Sequence, residues 1–202
     1  KQGGAAVDEQ GWLWADLVGA APADRLSRYQ DLLHDYSHHG KGIIRQVYAG
    51  ASTIITKPST LSTLVTEIDK INWYNVDRDD LGDLYEGLLE RNASEKKSGA
   101  GQYFTPRDLI DSIVAVMRPT LNDVIQDPTA GTAGFLIAAN NYLRDHYPPA
   151  KRTKSQQEKH RSSTFYGIEL VQDTHRLALM NMLLHGIEGS IQFGDTLGEE
   201  GT

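Results

Sequence analysis

The second half of the chain alternates short apolar runs with amphipathic stretches, and this alternation limits its fold more than any other feature. Three runs have the length of strands, at 124–127, 165–170 and 191–193. Two stretches between them have helical periodicity, at 135–146 and 172–185. Strands that alternate with helices form a parallel sheet with right-handed crossovers. We therefore predict an α/β fold here, interrupted by a polar, mobile surface insert at 148–163.

The first part of the chain has the pattern of short amphipathic helices. Apolar residues recur at three- and four-residue steps in three stretches, 26–36, 43–48 and 61–68. Ser59 and Thr60 are candidate caps for the third helix. We predict a helical module over 1–78 and an α/β module over 79–202. Because the sequence starts at Lys1 rather than Met, we expect the beginning of the helical module to be missing.

Two further helices are predicted between the helical module and the sheet. The first covers 79–91 and is followed by a polar loop to Gly101, and the second begins at Thr105-Pro106 and ends before Pro119. Helical spacing also predicts which residues of three helices are buried. In the helix at 79–91 they are Leu81, Leu84, Tyr85, Leu88 and Leu89, and in the helix that begins at Thr105-Pro106 they are Leu109, Ile110, Ile113, Val114 and Met117. In the helix at 172–185 they are Leu177, Met180, Leu183 and Leu184.

Composition excludes several classes of protein. The chain has no cysteine, so disulfides, zinc–thiolate sites and cysteine nucleophiles are ruled out, which fits a reducing cytoplasm. No run approaches the roughly 18 apolar residues of a membrane span. The net charge of −7 argues against a chain that binds nucleic acid by itself. If DNA is the substrate, a partner or a missing region must supply most of the positive charge.

A glycine-containing turn follows the first predicted strand. It reads Asp-Pro-Thr-Ala-Gly-Thr-Ala-Gly at 127–134 and opens a helix. Gly131 and Gly134 let the backbone approach a ligand closely, and free N–H groups at a helix start favour polar or anionic atoms. A tight turn selected for packing alone has the same local pattern. The strand–turn–helix setting and the preceding Asp127 favour a binding site.

Acidic residues lie at the ends of all three predicted strands. Glu169 can accept hydrogen bonds from both hydroxyls of a ribose, and Asp195 can accept one from an adenine amine. A solvated Glu and a turn-forming Asp are the alternatives. Three acids at the ligand-binding edge of a sheet, with Asp127 as the first, suit a positive sulfonium better than a pyrophosphate. The residues alone thus predict a nucleoside-binding α/β sheet.

Other ligand classes find less support. There is no G-x-x-x-x-G-K-[ST] motif, which excludes a P-loop, and no full G-x-G-x-x-G, which disfavours a nicotinamide-binding domain. The seven histidines are scattered without a zinc-binding spacing, so we predict no metal site. We expect His38, His39 and His185 to lie at the surface or at helix ends. Tyr103 and Phe104 could be packing residues, and composition alone does not decide their role.

Four segments occur in the order typical of one family. They are Gly-Gln-Tyr-Phe-Thr-Pro-Arg at 101–107, Asp-Pro-Thr-Ala-Gly-Thr-Ala-Gly-Phe-Leu at 127–136, Gly-Ile-Glu-Leu at 167–170 and Arg-Leu-Ala-Leu-Met-Asn-Met-Leu-Leu-His-Gly at 176–186. From about residue 54 to residue 197 the chain resembles the modification subunit of type I restriction–modification systems, an adenine-N6 DNA methyltransferase. Upstream, Trp-Tyr-Asn at 73–75 and Asp-Leu-Tyr-Glu-Gly-Leu-Leu at 83–89 match the same family.

The resemblance implies a methyltransferase with S-adenosylmethionine as its cofactor. It implies the first half of a Rossmann-like methyltransferase sheet, preceded by a helical N-terminal module. Residues 102–107 would bind the methionine end, the turn would line the site, Glu169 would hold the ribose, and Asp195 would sit beside the adenine. The implied cofactor-binding residues are Gln102, Tyr103, Phe104, Thr105, Pro106, Arg107, Asp127, Gly131, Thr132, Ala133, Gly134, Glu169 and Asp195. Ala133 replaces a glycine of the wider class.

The chain departs from the family pattern in one respect. The catalytic Asn-Pro-Pro-aromatic motif, which holds the flipped adenine, occurs nowhere in these 202 residues. The resemblance therefore implies no catalytic residue here and a fragment that is inactive alone. It implies DNA as substrate of the full complex, with a specificity subunit, a second modification subunit and the restriction subunit as partners.

Two other interpretations remain open from the sequence. The chain could be a catalytically inactive module that docks a specificity subunit and still contacts the cofactor. It could also be part of a single-chain restriction–methylase, whose nuclease and target-recognition domains would lie elsewhere. Under every interpretation no membrane partner is expected, and the predicted location is the cytoplasm.

Overall fold

A computed structural model describes residues 13–72, 78–95 and 105–198. The chain divides into two compact units, Lys1–Val76 and Asp77–Thr202. In the described part of the chain, no helix combines the length and the apolar character needed to cross a membrane.

The first unit is helical. Its helices are α1 (Trp14–Gly19), α2 (Arg25–His39), α3 (Ile43–Tyr48) and α4 (Pro58–Asp69). Its core contains Leu17, Leu61 and Val65, covered by Leu26 and Tyr29 of α2. Pro58 is the first residue of α4 and Lys57 occupies the cap position, so the predicted caps are wrong, because Ser59 and Thr60 already lie in the first turn.

The second unit is an α/β structure, as predicted. Its elements are α5 (Arg78–Glu95), α6 (Arg107–Met117), β1 (Ile125–Asp127), α7 (Gly134–His146), α8 (Lys154–Ser162), β2 (Phe165–Glu169), α9 (Gln172–Leu184) and β3 (Ser190–Phe193). The three strands are parallel in the order β1-β2-β3. Asp127 pairs in register with Gly167, and Glu169 pairs with Phe193. The carboxyl ends of the strands therefore lie at one edge.

Helix α5 is longer than predicted and buries a narrower face. It continues through Glu95, so the polar loop does not begin at residue 92. Leu89 is buried, but Leu84 and Leu88 are mostly exposed. Residues four positions apart form one row on a helix. Leu81, Tyr85 and Leu89 form the row that packs, and Leu84 and Leu88 form the neighbouring row, which stays in solvent.

Helix α6 differs from its prediction in the same way. It begins at Arg107 with Pro106 in the cap position and no side-chain cap, so the cap predicted from Thr105 is wrong. Ile110 and Val114, four positions apart, are its buried residues. The other residues predicted to face inward, Leu109, Ile113 and Met117, are exposed.

The polar insert contains regular structure, which the sequence did not predict. After a short 3-10 helix (Pro149–Lys151), α8 starts with a capping box in which Thr153 and Gln156 satisfy each other's main-chain N–H groups. Arg152 is buried, and its guanidinium donates to the carbonyls of Tyr147 at 2.6 Å and Leu143 at 2.9 Å. Hydrogen bonds to main-chain carbonyls allow this cation to lie in the interior.

Helix α9 buries a different face from the one predicted. Its buried apolar residues are Ala178, Leu179 and Met182, together with the polar Thr174, His175 and Asn181. The predicted inward residue Leu177 is 39% exposed. Small and polar side chains let this helix approach the sheet. The face predicted from the large apolar residues was therefore the wrong one. His185, expected at the surface or at a helix end, lies at the C-terminal end of α9 and is buried.

Candidate functional site

The turn after β1 has two residues in the left-handed region. Gly131 has φ of 56° and Ala133 has φ of 69°. Glycine adopts this conformation freely, whereas for alanine it is less favourable by roughly 1–2 kcal/mol. Ala133 is fully buried, and its N–H donates to the carbonyl of Ala130 at 2.7 Å. The methyl group of Ala133 is thus packed inside the turn, at a position where the backbone would favour glycine.

The carboxylate of Glu169 closes this turn from the end of β2. Its Oε2 accepts from the N–H of Gly131 at 2.9 Å, and its Oε1 accepts from the N–H of Val171 at 2.8 Å. The main chain adds a bond from the N–H of Ala130 to the carbonyl of Ile168, at 2.9 Å. A carboxylate has about four acceptor positions. These two main-chain donors occupy two of the positions and fix the orientation of Glu169.

Asp127 lies beside Glu169 at the same edge. Its Oδ1 accepts from the N–H of Thr129 at 3.0 Å. Burial raises the pKa of the Asp127 carboxyl, and the negative charge of Glu169 adds to that effect, although the bonds to Thr129 oppose it. Burial favours the protonated form of Asp127, whereas the two neighbouring acids, when both are charged, would attract a positively charged group.

Asp195 lies two residues beyond the end of β3 and is exposed. Its Oδ1 accepts from the N–H of Leu197 at 3.0 Å, which is the bond expected of a turn-forming Asp. The N–H of Gly194 donates to the carbonyl of Glu169 at 3.1 Å. The structure thus brings the ends of β2 and β3 together.

A pocket of about 270 Å³ lies beside the turn. It is lined by Asp83, Glu86, Gly87, Leu89, Arg107, Ile110, Thr132 and Gly134. Arg107, expected at the methionine end of the cofactor, forms an ion pair with Glu86 and lies 3.5 Å from Asp111. Three of the predicted cofactor residues, Arg107, Thr132 and Gly134, therefore share one pocket.

The structure describes only some of the other residues of the segment 102–107, which was predicted to bind the cofactor. Thr105 and Pro106 are described and lead into α6. Gln102, Tyr103 and Phe104 lie outside the described residues.

Asn181 supports the site and was not predicted as a site residue. It is 1% exposed, and its Nδ2 donates to the carbonyl of Thr132 at 2.9 Å, across 49 positions of sequence. The bond connects α9 to the glycine turn. An asparagine within the apolar run Ala-Leu-Met-Asn-Met-Leu-Leu was the available signal, because a buried amide needs a partner.

The structure also assembles a group of ionisable residues that the sequence spacing did not indicate. One donor atom from each of Asp83, Glu86 and His185 lies within 4.8 Å of the others. The three residues come from α5 and from the end of α9, so no local motif contains them.

A parallel sheet with a glycine turn after its first strand, and a fixed carboxylate at the end of its second, is the arrangement of an open α/β domain with a ligand-binding edge. The chain belongs to the N-6 DNA methylase family, whose model matches residues 76–202. The family resemblance found in the sequence is confirmed.

Individual relatives agree with this assignment. The chain is 44% identical to the type I restriction enzyme StySPI methylase subunit of Salmonella potsdam, over 95% of this chain and 38% of that protein. A crystal structure of a modification subunit from Vibrio vulnificus is 28% identical with a TM-score of 0.64, over 77% of this chain and 31% of the other. A methyltransferase subunit from Streptococcus thermophilus shares the fold, with 22% identity and a TM-score of 0.70 over 93% and 40%. The chain thus spans about two fifths of the curated relative's length.

Proposed function

We propose that this chain is the cofactor-binding half of a type I modification subunit, which transfers a methyl group from S-adenosylmethionine to N6 of adenine in DNA. The observation that carries the proposal is the Glu169 carboxylate, held by the Gly131 turn within a chain of the N-6 DNA methylase family. The fixed acid supplies an acceptor where a ribose would be recognised.

The residues at the sheet edge fit the chemistry of that cofactor. Glu169 has acceptor positions left for two ribose hydroxyls, and Asp127 and Glu169 together favour a positive sulfonium. We assign the methionine end to the pocket that Arg107, Thr132 and Gly134 line, and the adenine to the side of Asp195. When bound, S-adenosylmethionine supplies an activated methyl group, and these side chains bind and orient it.

The chain's own residues do not include the part that handles the base. The Asn-Pro-Pro-aromatic motif that the family uses for the flipped adenine is absent from these 202 residues. We therefore propose that this chain binds the methyl donor but does not methylate DNA without the rest of the subunit.

The net charge of the chain and its similarity to type I methylase subunits suggest which partners it has. A net charge of −7 gives the chain little intrinsic attraction for phosphates. We propose that DNA is held by the full complex, through a specificity subunit and a second modification subunit, with the restriction subunit as a further partner. Because the substrate is the cell's DNA, we propose a cytoplasmic location.

The decisive experiment measures binding and transfer separately. Calorimetry with S-adenosylmethionine is performed on the full-length subunit and on this chain, followed by transfer of labelled methyl groups to DNA in the presence of the specificity subunit. We expect both proteins to bind and only the full-length subunit to transfer. A full-length subunit that binds no cofactor at millimolar concentration would contradict the proposal, and cofactor binding without transfer would favour the inactive docking module.

A further inference from the structure

We infer that Asp83, Glu86 and His185 form a binding site for a divalent transition-metal ion of the zinc class, which ties α5 to the end of α9. The first observation is the state of the His185 ring. Only 2% of this side chain is exposed, and its Nδ1 lies 2.9 Å from the carbonyl oxygen of Asn181. Nδ1 must carry the proton to make that bond, so neutral His185 presents a lone pair at Nε2.

Nε2 of His185 is buried and has no hydrogen-bond partner. It points toward an acid, because Oδ1 of Asp83 is 3.9 Å away. A lone pair that faces a carboxylate is repulsive unless a positive charge lies between them. That positive charge can be a proton on His185 or a bound cation.

The third donor atom, from Glu86, favours the cation, because a proton on His185 needs only one acceptor. A separation of 3.9 Å is too long for a hydrogen bond between His185 and Asp83. Two ligands of zinc with bonds of about 2.0–2.2 Å lie about 3 to 3.6 Å apart. The three donor atoms, all within 4.8 Å of one another, approach that spacing. Asp83 is 72% exposed and can close the remaining gap by rotating its side chain.

The packing of α5 against the ring is specific. A Cβ atom built on Gly82 would lie 2.6 Å from both Cε1 and Nε2 of His185. Glycine within a helix costs roughly 0.5–1 kcal/mol relative to alanine. The close approach of His185 explains why a side chain is excluded at this position, and it brings Asp83 and Glu86 of the same helix to the imidazole.

The donor set selects the class of ion. Zinc accepts both imidazole nitrogens and carboxylate oxygens as ligands, whereas magnesium and calcium prefer oxygen alone. Metal-bound histidines usually donate their other N–H to a carbonyl or carboxylate, as His185 does to Asn181. Glu86 also pairs with the Arg107 guanidinium, whose positive charge will weaken the affinity for the ion.

The test uses Co²⁺ and Zn²⁺ as probes of the full-length protein, without a histidine tag and without cofactor. His34 and His38 lie one turn apart on α2 and could chelate an ion, so all proteins carry His38→Asn. We expect one Co²⁺ per chain, with visible d–d absorption that Zn²⁺ removes. Asp83→Asn should weaken the binding at least tenfold, and Asp145→Asn, which removes an exposed acid of α7, should leave it unchanged.

A second readout does not depend on affinity. Zinc should shift the ¹⁵N resonance of His185 Nε2 and raise the melting temperature of the parent protein, but not that of Asp83→Asn. Equal Co²⁺ binding by Asp83→Asn would overturn the inference, and so would a His185 ring that stays protonated on both nitrogens at neutral pH in excess zinc. Because no cofactor is present, these outcomes are independent of S-adenosylmethionine binding.

Discussion

The carboxylate of Glu169 accepts a hydrogen bond at 2.9 Å from the main-chain N–H of Gly131, 38 positions earlier in the chain. The end of β2 therefore holds the turn that follows β1. One side chain fixes the shape of the glycine turn and, in our proposal, receives the ribose.

Replacement of Glu169 by alanine in the full-length subunit should weaken S-adenosylmethionine binding by about 1–3 kcal/mol, the cost of leaving polar groups unpaired. Calorimetry measures this loss. Adenosine, which carries the same ribose, should lose a similar factor. Glu158→Ala is the control, because Glu158 is an exposed residue of α8 that pairs with Arg161. Unchanged affinity in Glu169→Ala would remove the ribose assignment.

The raised pKa of Asp127 predicts that its charge lowers the stability of the fold, although the same charge should favour binding of the cofactor. Its carboxyl has a higher pKa in the folded protein than the ordinary 3.8, mainly because it is buried. Above the folded pKa the charge therefore costs stability, and this cost disappears as the pH falls toward 3.8. Asp127→Asn should accordingly raise the free energy of unfolding at pH 7, with a difference from wild type that shrinks on acidification.

The same Asp127→Asn variant should bind S-adenosylmethionine more weakly, because it removes a negative charge near the sulfonium. Its Oδ1 can still accept the N–H of Thr129, so the turn is retained. Urea titrations at several pH values and calorimetry at pH 7 test the two effects. Asp145→Asn should show neither effect. A variant that is less stable than wild type at pH 7 would contradict the explanation from burial.

The sequence predicted the elements that carry a strong local signal. The strands, the glycine turn and the acids at the strand ends followed from short-range patterns. Three helices of the first unit, α2, α3 and α4, followed from apolar spacing, and α1 was not predicted. The resemblance to the modification subunits, confirmed by the family match, added the class of protein.

Long-range contacts explain most of the failures. The face of α9 was predicted from its leucines, but Asn181 and Ala178 are the residues that pack inward. Arg152 and the Thr153–Gln156 capping box stabilise regular structure in a segment whose composition indicated a mobile insert. The cluster of Asp83, Glu86 and His185 joins two helices about 100 positions apart, so no spacing rule could reveal it.

The hydrogen bond from Asn181 of α9 to the glycine turn can be tested by mutation. Asn181→Ala removes the bond to the Thr132 carbonyl and leaves that part-buried oxygen without its donor. We expect a loss of about 1–3 kcal/mol in the free energy of unfolding, measured in urea with a chelator present to exclude metal effects. Asn122→Ala, at an exposed loop position, is the matched control. A loss no larger than in that control would show that the bond does not stabilise the turn.

His160 predicts how the second unit responds to acid. Its Nε2 lies 2.9 Å from Oδ1 of Asn140 on α7. Burial, with smaller contributions from the positive charges of Arg152 and Arg144, lowers the pKa of His160 to about 4. A histidine whose pKa is lower in the folded protein stabilises it fully above its ordinary pKa of 6.5. Its contribution is then lost progressively as the pH falls from 6.5 toward 4, because only the unfolded chain takes up the proton.

His160→Gln should therefore flatten the decline in unfolding free energy between pH 6.5 and pH 4, since an amide can keep the bond to Asn140 without titrating. Carboxylates titrate over part of the same range, so the difference between variant and wild type at each pH is the quantity to measure. His146→Gln, at an exposed position near the end of α7, should leave the decline unchanged. Parallel curves for His160→Gln and the wild type would show that His160 is not the group responsible.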